Sequence, residues 1–101
     1  MEKRRPTYDL ARIKLEIGTE ATIRISGVAR LEAVRLGFDR RGIAAVIQSI
    51  DRRMFYKSMT TYRDHHVWQD VYHVPHGDLT LYVKFQQSVL TELFVVSFKE
   101  K

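Results

Sequence analysis

The sequence predicts an α+β domain in which helices cover one face of an antiparallel sheet. Two observations carry this. Hydrophobic residues recur with a helical period up to about residue 50, and with a period of two from residue 56 onward. Helices first and consecutive strands afterwards is the order expected of a layered α+β fold. A third observation sets the scale: 101 residues, 45% of them hydrophobic, suit one domain spanning 1–101. Such a chain buries roughly two-thirds of its unfolded surface.

The first segment, YDLARIKLEIG, places Leu10, Ile13 and Ile17 on one helical stripe that closes at Gly18. Ile13, Leu15 and Ile17 also alternate as a strand would, but Pro6 and Thr7 provide a helix start and favour the helix. EATIRI, residues 20 to 25, reads as a short strand or an extended connection. SGVARLEAVRLG begins with Ser26, a good N-cap, and stops at Gly37. FDRRGIAAVIQSI follows, capped by Asp39, with Ile43, Val46, Ile47 and Ile50 along one side.

Four strands complete the chain: YKSMTTY, HVWQDVYHV, LTLYVKF and LTELFVVSF, each rich in β-branched and aromatic residues. PHGD is a hairpin turn between the second and third, and QQSV begins the last connection. Alternation then sorts the side chains. Leu81, Val83 and Phe85 face one way, Thr80, Tyr82 and Lys84 the other. Strict alternation likewise puts Phe94, Val96 and Phe98 on one face and Val95, Ser97 and Lys99 on its opposite. Lys57 and Met59 share a side, as do Val67, Gln69, Val71 and His73, away from Trp68 and Tyr72. If neighbouring strands pair, Lys57, Gln69, Tyr82 and Lys99 converge on one open surface, subject to a register that one sequence does not specify.

Charge gives that surface a ligand. Seventeen Lys and Arg against twelve Asp and Glu leave a net charge of +5 and a pI near 9.7, which attracts phosphate in nucleic acid or at a membrane surface. There is no cysteine, so disulfides, thiol catalysis and Cys-bound zinc are excluded within the chain. No apolar run is long enough to span a bilayer, and MEKRRP has no hydrophobic stretch behind it, so a cytoplasmic location without membrane contact is expected. Phosphate loops, nucleotide-binding glycine motifs, nucleophile elbows and paired catalytic carboxylates are missing. His65, His66, His73 and His76, with Asp64, Asp70 and Asp78 nearby, have no recognised metal-ligand spacing, and no metal or other cofactor is expected. His73 stands apart because it shares the Gln69 face and titrates near neutral pH.

Such a face suits RNA cleavage without metal. A 2′-hydroxyl attacking the adjacent phosphorus needs a base, a proton for the leaving 5′-oxygen, and cations for the extra negative charge. Lysines supply the cations, and a lysine of depressed pKa also serves as base. A tyrosine is the better acid, glutamine orients phosphate or base edges, and exposed aromatics stack unpaired bases. Taken singly, Lys57, Lys84 and Lys99 are ordinary surface lysines, and Tyr56, Tyr62, Trp68 and Tyr72 ordinary core or rim aromatics. Their joint occurrence on matching strand faces is what points to a site.

FYKSMTTY, DH, WQDVY and the terminal VSFKEK, with MEKR at the start, resemble the motility quorum-sensing regulator toxins of bacterial type II toxin–antitoxin systems. The likeness runs through essentially the whole chain in the same order and is strongest from residue 55. It implies a RelE-like α+β fold and a ribosome-independent, metal-independent endoribonuclease that cuts single-stranded mRNA at short GC-containing sites. It also implies a cognate antitoxin that binds DNA and contains zinc. Carried over by motif, the family's active-site residues are Lys57 of FYKSM, Gln69 of WQDVY, Tyr82 of the strand before the last, and Lys99 of SFKEK. Met59 and His73 would border the site and contact substrate, His73 standing where relatives are expected to carry arginine. The competing readings are a non-catalytic nucleic-acid-binding regulator and a pure protein-interaction module.

Overall fold

The computed structural model describes all residues from Met1 to Lys101. Three helices, α1 (Leu10–Ile17), α2 (Gly27–Arg35) and α3 (Arg40–Ser49), precede a 3₁₀ turn at Arg52–Met54. Strands β1 (Glu2–Lys3), β2 (Phe55–Thr60), β3 (Trp68–His76), β4 (Leu79–Gln87) and β5 (Leu93–Glu100) form one antiparallel sheet in sequence order. The α+β expectation holds, and the YDLARIKLEIG segment is helix. Its start differs: Asp9, not Pro6 or Thr7, is the cap, accepting from the Ala11 amide at 3.3 Å. Ser26 and Asp39 cap α2 and α3, accepting from Ala29 at 3.2 Å and Gly42 at 2.8 Å.

One face of the sheet meets the helices. Ile13 and Ile17 of α1, Ala29 and Ala33 of α2, and Ile43, Val46 and Ile47 of α3 pack with Tyr72, Val74, Leu81, Val83, Phe85, Leu93, Val95 and Phe98 in one core. The small Ala29 and Ala33 let α2 lie close against β5, leaving Val28, Leu31 and Val34 outward. EATIRI begins as a turn, closed by the Ile23 amide donating to the Thr19 carbonyl at 3.0 Å, and only its last residues run on to a single parallel bridge, Ile25 to Val95. Bonds from Ser26 N to Val95 O and from Val95 N to Arg24 O, both 2.9 Å, cover the outer edge of β5. Gly77 turns the β3–β4 hairpin with φ +57.

Residues 7 and 8 are stapled across this sheet. The Thr7 amide donates to both carboxylate oxygens of Asp70, at 3.1 and 2.9 Å, and the Tyr8 amide donates to one at 2.8 Å. Thr7 and Ser58 hydroxyls lie 2.7 Å apart, and the Tyr8 hydroxyl donates to the Trp68 carbonyl at 2.6 Å. Asp70 and Ser58 are fully buried, so the arm satisfies polar groups the sheet alone leaves bare.

Strict alternation fails in two strands. In β5 the register slips between the pairs Lys84↔Ser97 and Phe85↔Val95, leaving Val96 as an extra residue. Val95 and Phe98 therefore both face the core, and Phe94, Ser97 and Lys99 face the open side. The grouping of Phe94 and Val96 with Phe98 is thus corrected: a bulge resets the side-chain period once. In β2 a second bulge lies between Phe55 and Lys57.

Candidate active site on the open face of the sheet

Opposite the helices, register lines the side chains into three rows. The first runs Glu2, Met59, Gln69, Gln86, Phe94; the second Lys57, Val71, Lys84, Ser97; the third His73, Tyr82, Lys99. The β2 bulge adds Tyr56 to the third row, its ring stacked on His73 at 4.3 Å between centroids. Phe55, one residue away, turns inward against Tyr72. Trp68 and Tyr72 also lie on the helix side.

All four sequence-predicted catalytic residues share the open face, but they are not equally close. Tyr82 faces Lys99 directly, with the Lys99 ammonium 5.4 Å from its ring, and the Lys84 ammonium lies 5.8 Å from the same ring. Lys57 is held by Glu2 through a 3.0 Å ion pair and lies 5.3 Å from the Tyr56 ring. Gln69 sits at the far end, four residues from His73 on the same strand, or about 13 Å. There its amide donates to Gln86 at 2.7 Å beside Met59. A shallow basin of about 500 Å³ opens at this end, lined by Met59, Gln69, Lys84, His65 and the fully exposed Tyr62 among others.

Electrostatics sort these groups by proton. Burial raises the Tyr82 phenol above its ordinary value, Lys57 opposing and Tyr56 adding, so at neutral pH it carries its proton. Burial lowers the Lys84 ammonium, helped by Lys99 and then Lys57, while Glu32 of α2 opposes. This partly buried lysine therefore gives up its proton more readily than a fully solvated one. Its face was legible in LTLYVKF, but nothing in one sequence marked it as partly buried where Lys99 is exposed. Glu2 left no signal, because a two-residue strand has no period, and Tyr56, though among the candidate aromatics, left its face unmarked, because a bulge changes none of the residue types around it.

His73 lies 6.0 Å from Tyr82, ring to ring. Burial, and then the Lys101 ammonium, lower its pKa below the ordinary 6.5. The folded value is below the unfolded one, so its contribution to stability is present above about pH 6.5 and is lost as pH falls through the folded value. The urea midpoint of the wild type is expected to drop more between pH 7 and pH 5 than that of His73→Gln. Equal drops would remove His73 from the acid-sensitive groups. No three His, Asp or Glu side chains cluster as a metal ligand set.

Fold and site thus define a class: a small α+β protein whose bare sheet face gathers three lysines around a protonated phenol. The chain belongs to the family described as motility quorum-sensing regulator, toxin of MqsA, whose sequence model matches residues 5–100. It is 41% identical over 101 residues, all of both chains, to the mRNA interferase toxin MqsR of Escherichia coli (strain K12).

Proposed function

We infer that this chain is a ribosome-independent endoribonuclease, the toxin of a type II toxin–antitoxin pair, cutting single-stranded mRNA without a metal ion. The observation that carries the reading is the enclosure of the protonated Tyr82 by Lys57, Lys84 and Lys99 on an uncovered sheet. Lys57 and Lys99 neutralise the scissile phosphate. Lys84 takes the proton of the attacking 2′-hydroxyl, and Tyr82 gives its own to the leaving 5′-oxygen. The products are a 2′,3′-cyclic phosphate and a 5′-hydroxyl. Gln69 and Met59, with His73 at the other end, hold the flanking nucleotides, and the cut falls at short GC-containing sites. The partner that restrains it is a zinc-containing, DNA-binding antitoxin, and both act in the cytoplasm.

Purified protein is expected to cut a defined mRNA in excess EDTA and leave cyclic phosphate ends, and Lys57→Ala to cut it far more slowly. Cleavage abolished by EDTA alone would overturn the metal-free scheme. Intact RNA after long incubation, with salt-dependent binding, would favour the non-catalytic regulator instead. Lys84→Met is expected to lower kcat by about a hundredfold and to remove the rising limb that a deprotonated base gives the pH–rate profile. An unchanged profile would return the base to another residue.

A further inference from the structure

On the helix side of the sheet, a cavity of about 460 Å³ opens between the start of α1, the 3₁₀ turn and the strands β2 and β3. Its polar lining includes Arg4, Asp9 and Arg52, and its aromatic walls are Tyr8, Phe55 and Tyr72. None of the three charged side chains has an ion-pair partner. Asp9 spends one oxygen on the α1 cap. Tyr72 is 1% exposed, yet its hydroxyl finds no hydrogen-bond partner, an unfavourable state for a buried polar group. Asp9 and Arg52 both lie near enough to act on that phenol, in opposite senses.

Charge narrows the ligand. Free phosphate would meet the Asp9 carboxylate, and an apolar ligand would leave the exposed Arg4, Asp9 and Arg52 at the rim without a role. What fits is a flat, neutral, aromatic group with adjacent donors on one edge and acceptors on the next. Among RNA bases guanine has that edge: N1–H and N2–H beside O6 and N7. We propose that this cavity binds a guanine base, with Asp9 accepting from N1–H and N2–H and the arginines donating to O6 and N7. The base comes from the RNA being cut or from a free guanine nucleotide.

A strand has a path to it. Arg4, at the cavity, donates to the Tyr56 carbonyl at 3.4 Å and lies 5.8 Å from the Tyr56 ring, which stacks on His73 of the open face. The β2 bulge sends Phe55 into the cavity wall and Tyr56 to the catalytic side. RNA leaving His73 therefore crosses one residue of rim to enter the cavity. The strand source rests on the ribonuclease reading; the free-nucleotide source does not.

Two arms test this on the full chain. In the first, guanosine, inosine and adenosine monophosphates and inorganic phosphate are titrated separately, followed by the amide resonances of Thr7, Tyr8 and Leu10. In the second, short RNAs carry inosine in place of single guanines near the cut, and kcat/KM is measured. Inosine lacks the N2 amino group that Asp9 receives. The expected result is that guanine exceeds inosine about tenfold in at least one arm, and that Asp9→Asn, which keeps a helix cap, erases the difference. Arg52→Ala, remote from that cap, weakens guanine binding as well. A response confined to the RNA arm assigns the base to the strand, and one seen with the monophosphate assigns it to the free nucleotide. Guanine and inosine indistinguishable in both arms would overturn the site. RNA left uncut by the wild type would overturn the ribonuclease reading alone, the first arm still deciding the cavity.

Discussion

Tyr82→Phe is expected to cut RNA about a thousandfold more slowly than the wild type at saturating RNA, within the range for losing a general acid, while binding RNA nearly as tightly. The substitution removes one oxygen and keeps the ring that Lys84, Lys99 and His73 approach. Ground-state contacts and packing therefore survive. What disappears is the proton that burial keeps on the phenol at neutral pH. Without it the 5′-oxygen departs as an alkoxide, which the lysines stabilise only in part. Single-turnover rates and a binding isotherm on the same RNA separate the two effects. Cleavage within about threefold of wild type would exclude Tyr82 as the acid.

The second large effect is on stability. Asp70→Ala is expected to lower the unfolding free energy by roughly 3–4 kcal/mol, because the fully buried carboxylate accepts from two backbone amides, Thr7 and Tyr8, and leaves both donors unpaired when it goes. Asp70→Asn keeps the shape and one acceptor oxygen, so about half that loss is expected. Urea denaturation of the three proteins at pH 7 measures both. A loss under about 1 kcal/mol for alanine would mean that the arm at residues 7 and 8 is held by Ser58 and Trp68 instead.

The legibility of the sheet faces in the sequence differs from strand to strand. LTLYVKF and WQDVYHV alternate without interruption, and their faces are as the period of two implies, because β3 and β4 pair in unbroken register. FVVSFK misleads, since Val96 bulges out and its neighbours change sides. Lys99 still reaches the open face because it lies beyond the slip, opposite Tyr82. Gln69 shares the face as read, yet strand length puts it at the other end from Tyr82. Side-chain direction is a local property, whereas separation along a strand pair depends on register. The lone buried phenol of Tyr72 and the three charges near it meet through loops, where no period operates.

The two bulged positions carry an unequal evolutionary freedom. Removing Tyr56 or Val96 would join residues that already pair in sequence, Phe55 with Lys57 and Val95 with Ser97, and leave a continuous ladder. Removing a residue further along either strand, such as Ser58 or Phe98, would instead turn a lysine toward the core and core residues out to water. A deletion scan through β2 and β5 should therefore find its survivors only at the two bulges. Of the two, the protein lacking Tyr56 would be a folded shell without its stacked His73, a natural starting point for a lineage that keeps the scaffold and abandons the chemistry.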